Sequence, residues 1–261
     1  MKKLIALVLS LMLVLCSVAA VAETTESKGT LIMATNASFP PYEFYEGTEI
    51  VGIDVEIAAA VAAKMGYDFT VADMDFDAII PAVISGEASF GLAGMTVTEE
   101  RLLSVDFSTS YATGVQVVIV REDSAITSVD ALFAEGAMHT IGVQMATTGE
   151  LYSTWDLEEV GLATINRYPS GNEAVMALKA GMVDCVIIDN EPAKAYVAAN
   201  EGLKILATEY VTENYAACFA KGSPLLAEFN AALKELTEDG TIPAIINKYI
   251  PTEEAADEAA E

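Results

Sequence analysis

Positive charge is scarce in this chain. Thirteen Lys+Arg stand against 39 Asp+Glu, and only Arg101, Arg121 and Arg167 are arginines. A surface of that sign cannot neutralise phosphates, which excludes nucleic acid as a partner. Adhesion to anionic lipid is disfavoured for the same reason. Histidine is almost missing. His139 stands alone and opens the apolar run Thr140-Ile141-Gly142-Val143, where it reads as a strand-edge residue. No Ser/His/Asp or Cys/His set is available beyond it, and no Cys/His grouping has metal-ligand spacing. No metal and no cofactor is expected. Cysteine is sparse too. Cys185 and Cys218 lie in short apolar runs and read as buried free thiols, although an exported protein can form a disulfide. Beyond the N-terminus no apolar run is long enough to span a bilayer.

The N-terminus has the pattern of a secretory signal. Lys2 and Lys3 precede an apolar stretch over 4–15, and Ala20-Val21-Ala22 offers a small-x-small cleavage site before Glu23. Cys16 follows Leu15, whereas a lipid-modified cysteine follows a small residue, so a lipid anchor is not favoured. Without residues 1–22 the chain carries 11 Lys+Arg and 39 Asp+Glu, a formal charge of −28. That describes a highly soluble exported protein, periplasmic or at the cell surface. Residues 252–261, acidic and alanine-rich, are expected to form a solvated tail without a fold.

Between the ends, strand and helix patterns alternate. The spacing predicts a strand over 31–35, then a helix capped by Asp54 and running to Lys64. Ile57, Ala58, Val61, Ala62 and Met65 share one face of that helix, and Gly66 ends it. A strand over 67–72, a helix over 78–85 stopped by Gly86, and a strand over 89–93 follow. This is alternation of the parallel α/β kind. Part of it repeats. The stretch from Ile80 through Gly86 to Ser89 is echoed from Val175 through Gly181 to Asp184. In that register Gly94 matches Asp189. Two lobes of similar design explain the echo in a chain of this length.

Ligands of parallel sheets sit beyond the carboxyl ends of strands, which places Gly94 and Asp189 at equivalent strand ends. Arg101 follows soon after Gly94, in Gly94-Met95-Thr96-Val97-Thr98-Glu99-Glu100-Arg101. A guanidinium grips a carboxylate with two parallel hydrogen bonds, and an aspartate holds an ammonium. Facing each other across a cleft, the pair would meet the needs of an α-amino acid. Asp189 by itself also reads as a helix N-cap before Asn190-Glu191-Pro192. The chain is expected to build lobe 1 from 30–110 and 216–250, and lobe 2 from 115–210. Hinge crossings are expected at 111–114 and 211–215.

Three segments in order carry a family resemblance: Gly52-Ile53-Asp54-Val55-Glu56-Ile57, the run from Met74 through Phe76 to Ala82, and the run from Gly94 to Arg101. Over residues 30–250 the chain resembles the polar amino-acid substrate-binding proteins of ABC importers, the extracellular solute-binding family 3. The resemblance implies a type II periplasmic-binding-protein clamshell, each lobe a mixed sheet flanked by helices. It implies that Gly94 accepts from the ligand ammonium through its carbonyl and that Thr96 touches the ligand with hydroxyl or amide. Arg101 would pair with the α-carboxylate, Thr148 would offer hydroxyl and amide donors to it, and Asp189 would hold the ammonium. Thr147 and Thr148 also read as simple helix caps.

The side-chain pocket follows from the same resemblance. Phe39 would stack on the ligand and Phe76 would form a second wall, although aromatics at such spacing are ordinarily core. Asn36 departs from the family, where many relatives carry an acid; Asp75 or Asp77 could replace that charge. Gln144 adds a neutral polar group. Together these favour a neutral polar amino acid such as glutamine, with arginine or lysine next. The implied partners are the amino acid and a membrane permease, and the protein is expected to be a monomer. An enzyme on the same fold, a cyclohexadienyl dehydratase, is the alternative. It needs a general acid, for which Asp77 and Glu173 are nominees without distinguishing surroundings. A ligand-sensing module is a third reading.

Overall fold

The computed structural model describes residues 27–251. The signal segment 1–22 with Cys16, and the tail 252–261, lie outside the described residues. The chain begins with β1 (Thr30–Thr35) and a small meander, β2 (Ser38–Phe39), β3 (Glu43–Glu46) and β4 (Glu49–Val51). Then come α1 (Ile53–Met65), β5 (Asp68–Asp73), α2 (Phe76–Ser85), β6 (Phe90–Gly91), α3 (Glu99–Ser104) and β7 (Val105–Phe107). A long strand, β8 (Ala112–Arg121), leads to β9 (His139–Gln144), α4 (Thr148–Ser153), β10 (Ala163–Tyr168) and α5 (Gly171–Lys179). After these follow β11 (Cys185–Asp189), α6 (Asn190–Ala199), β12 (Leu203–Ile205), β13 (Val211–Tyr215), β14 (Cys218–Ala220), α7 (Leu225–Glu238) and α8 (Thr241–Tyr249).

Two mixed sheets organise two lobes. The first has the order β5-β1-β6-β14-β7, the second β10-β9-β11-β8-β12 with β13 also paired to β8. In the first, β1 runs parallel to β5 and β6, while β14 is antiparallel to its neighbours. In the second, β9, β10 and β11 are parallel and β8 is antiparallel to β11, β12 and β13. Helices cover the sheet faces because each buries one apolar stripe. On α1 that stripe is Ile53, Ile57, Ala58, Val61, Ala62 and Met65; on α7 it is Phe229, Ala232, Leu233 and Leu236. The echoed units are α2–Gly86–β6 and α5–Gly181–β11. Both glycines are left-handed, with φ of 79° and 72°, the conformation that ends a helix. The first strand is shorter than its sequence pattern, reduced to Phe90–Gly91.

Asp54 is not the cap of α1. Gly52 occupies that position without a side-chain bond. The preceding backbone does the capping instead, since Ile53 N donates to Pro41 O and Asp54 N to Tyr42 O at 3.1 and 2.9 Å. With its own helix end satisfied, the Asp54 carboxylate is free to turn inward.

The segments expected as hinges form an antiparallel ribbon. Val211 faces Gln116, Glu213 faces Gly114 and Tyr215 faces Ala112. A side chain at Gly114 would run into the Tyr215 hydroxyl and ring. Gly114→Ala is therefore expected to destabilise the fold by about 1–3 kcal/mol through overpacking. An unchanged thermal midpoint would contradict that. Cys185 and Cys218 are both free and buried, in separate apolar clusters. Among the described residues, no helix is long and apolar enough to cross a membrane, and no cluster of His, Cys, Asp or Glu could hold a metal ion.

Candidate functional site

A narrow cavity lies where the two lobes meet, about 310 Å³ of empty space including the solvent at its mouth. All nine residues expected from the sequence line it: Asn36, Phe39, Phe76, Gly94, Thr96, Arg101, Gln144, Thr148 and Asp189. Glu43, Ala93 and Thr147 complete the lining. Asp75 and Asp77 do not belong to it, so neither supplies the charge that Asn36 lacks.

Arg101 is placed by the start of α3. The Thr98 hydroxyl caps that helix by accepting from Arg101 N at 3.1 Å. The guanidinium lies over the Phe76 ring, 5.4 Å from its centroid. Its Nη1 donates to Thr96 O at 2.8 Å and its Nη2 to Ala146 O at 2.9 Å. One acceptor belongs to each lobe. Among the described residues no carboxylate forms an ion pair with Arg101. Burial pulls its pKa below the ordinary value, while Glu213 and Asp189 support the charge from a distance. Ala146 has φ 62°, the sole positive φ at a non-glycine among the described residues. Backbone in that region costs energy and concentrates at ligand clamps.

Thr148 opens α4 and lies 3.5 Å from Thr96, hydroxyl to hydroxyl, across the lobes. Its hydroxyl donates to Glu213 Oε2 at 2.9 Å, which also accepts from Gln116 Nε2 at 2.8 Å. Gln144 Nε2 donates to Asn36 Oδ1 at 3.0 Å, another lobe-to-lobe bond. Asp189 ends β11, and one of its oxygens accepts from the Tyr215 hydroxyl.

Acids dominate the surroundings. Glu43 and Asp54 are fully buried, and Asp189 and Glu213 nearly so. Asp54 Oδ2 accepts from Gly94 N and from the Tyr111 hydroxyl, both at 2.7 Å, tying the cavity-lining loop to the start of the ribbon. Burial raises its pKa to about 6. Burial, then the charge of Glu213, raises Asp189 to about 7. Glu43 is pushed well above the carboxylate range by burial and by Asp54, and Glu213 is raised by burial. In the folded state these groups keep protons that the unfolded chain releases above an ordinary pKa near about 4. Their stabilisation is complete below that pH and is lost as pH rises through the folded values. The thermal midpoint of protein prepared without ligand should therefore fall between about pH 4 and pH 7. A midpoint that rises over this window would contradict the protonation pattern.

The sequence reading missed Glu43, Glu213 and Tyr215. Glu213 and Tyr215 were accessible, being two apart on a strand and so on one face. Glu43 had only a weak signal, an acid among the aromatics Tyr42, Phe44 and Tyr45.

Comparison with known proteins bears on this geometry. The family described as bacterial extracellular solute-binding proteins, family 3, matches residues 31–252. The chain belongs to that family. Family 3 here spans both sheets, the ribbon and the cavity. The arginine-binding extracellular protein ArtP of Bacillus subtilis (strain 168) is 35% identical over 229 residues, covering 87% of this chain and 88% of that protein. Two structures of an ancestral arginine-binding protein, one bound to arginine and one to glutamine, are each 37% identical with a TM-score of 0.79. They cover 85% and 86% of this chain, and 98% and 99% of their own.

Proposed function

We propose that this protein captures a cationic α-amino acid, arginine foremost, between its two lobes and hands it to an ABC importer permease. The observation that carries the reading is the charge arrangement of the cavity. Arg101 has carbonyl partners but no ion-pair partner among the described residues. Asp189 stands among the same lining groups, and Glu43 adds a second acid without a hydrogen-bond partner among the described residues. Buried charges require counter-groups. A ligand carboxylate on Arg101, an ammonium on Asp189 and a cationic side chain at Glu43 provide them. Phe39 and Phe76 supply apolar walls for the aliphatic stem. The Thr148 amide, rather than its committed hydroxyl, would complete carboxylate binding.

Glu43 moves the choice from glutamine to arginine, because it restores the acid that Asn36 removes. The arginine-binding relatives support the same choice. The ribbon between the lobes is where bending would occur, by paired strands rather than loose loops. The family and the signal pattern at 1–22 support export; the absence of a lipid anchor and action as a monomer are further parts of this proposal. The dehydratase alternative finds no help in its nominees, since Asp77 and Glu173 are exposed and outside the cavity lining.

A thermal-shift panel of the twenty amino acids, citrulline, ornithine and prephenate tests the reading on protein refolded free of ligand. A ligand at about 100 times its Kd stabilises by about 2.7 kcal/mol. Arginine should give the largest shift. Silence from every amino acid would remove the proposal, and a response to prephenate alone would favour the enzyme.

A further inference from the structure

Glu43 and Asp54 form a buried pair of acids that the capture of a carboxylate and an ammonium does not use. Glu43 is fully buried and lines the cavity, yet among the described residues neither of its oxygens has a hydrogen-bond donor. Asp54 Oδ1 lacks one as well. The two side chains lie within hydrogen-bonding reach of each other. Two carboxylates so placed cannot both stay ionised away from a cation; one proton between them removes the repulsion and fills the missing bond. Asp54 Oδ2 already receives Gly94 N and the Tyr111 hydroxyl, which hold its negative charge. The proton therefore belongs on Glu43, donating to Asp54 Oδ1.

Among the described residues the one cation lining the same cavity is Arg101, and it forms no ion pair with Glu43. The groups that act on Glu43 or feel it are the acids Asp54 from α1, Asp189 from β11 and Asp73 from β5. The phenols are Tyr42, Tyr111 and Tyr196. Among the described residues it has no ion pair.

We infer that a cationic ligand side chain expels the Glu43 proton, so that the site is a proton-linked selector between cationic and neutral amino acids. When a guanidinium enters, the Glu43 O–H bond breaks, the proton passes to solvent, and the new carboxylate accepts from the guanidinium N–H groups. A neutral side chain such as that of glutamine leaves the proton in place on its bond to Asp54 and donates its amide N–H to the other Glu43 oxygen. Low pH then favours neutral amino acids and high pH favours arginine. The two classes share every other contact, including any proton released when an ammonium meets Asp189, so the difference between them isolates Glu43. This inference rests on the reading of the cavity as an amino-acid site.

Calorimetric titration of the mature protein with arginine and with glutamine, in two buffers of different ionisation enthalpy near pH 7, counts the protons released. Arginine should release more than glutamine, by an amount approaching one. The preference for arginine over glutamine should rise by up to roughly tenfold per pH unit while Glu43 holds its proton. Glu43→Gln should make the preference independent of pH, and should lower the proton count for arginine to that of glutamine. If glutamine binds too weakly to titrate, the count for arginine in wild type against Glu43→Gln gives the same difference. Tight arginine binding with equal counts in these comparisons would overturn the inference alone. Absence of arginine binding would overturn it together with the reading beneath it.

Discussion

Arg101→Ala should nearly abolish amino-acid binding while leaving the fold intact. Among the described residues the guanidinium is the sole cation lining the cavity, and its two donors already reach into both lobes, to Thr96 O and Ala146 O. A ligand carboxylate held there would be buried. Truncating one partner of a buried charge pair costs about 2–5 kcal/mol, a loss of roughly thirtyfold to several thousandfold in Kd. The main cost is an unpaired carboxylate in a site crowded with acids, so Arg101→Lys should recover part of the affinity but not the two-pronged grip. Folding should be spared. Arg101 is half-buried in the first turn of a short helix and belongs to none of the apolar clusters. Calorimetry with circular dichroism decides the matter: wild-type affinity in a folded variant would remove Arg101 from the site.

The second large effect is expected at Asp189. Asp189→Asn keeps the shape and an acceptor for the Tyr215 hydroxyl but removes the charge. Arginine should bind more weakly by about 2–3 kcal/mol, within the range for breaking a buried pair. Its deaminated analogue, 5-guanidinopentanoic acid, has no ammonium and should change little. The comparison separates a direct contact from a structural one. Asp189 sits among Tyr215, Gln116 and Glu213, and a merely structural role would weaken both ligands equally. Equal losses would therefore show that Asp189 does not face the ammonium.

The parts of this molecule legible in sequence share a physical cause. Helix stops at Gly86 and Gly181 are local, because a left-handed residue ends a helix whatever lies around it. The echo built on them exposed two similar units, and placing ligands at strand ends then put Gly94 and Asp189 near each other. The family resemblance supplied the remaining lining residues. Asp54 shows where local reasoning stops. Its sequence position fits an N-cap, but the backbone of Pro41 and Tyr42, brought in by the meander, had already satisfied the helix end. Glu43 was hidden for a similar reason. An acid in a chain with 39 of them is ordinarily a solvated surface group, and only tertiary packing buries this one. Glu213 could have been found by strand alternation, yet its bond to Thr148 spans 65 positions and no local pattern reports it.

A crystal structure of the arginine complex tests the central claim most directly. The account predicts one arginine in the cavity between the lobes. Its carboxylate should lie on Arg101 and the Thr148 amide, its ammonium on Asp189 and Gly94 O, and its guanidinium against Glu43. Arginine bound in the reverse direction, or anywhere outside this cavity, would contradict it.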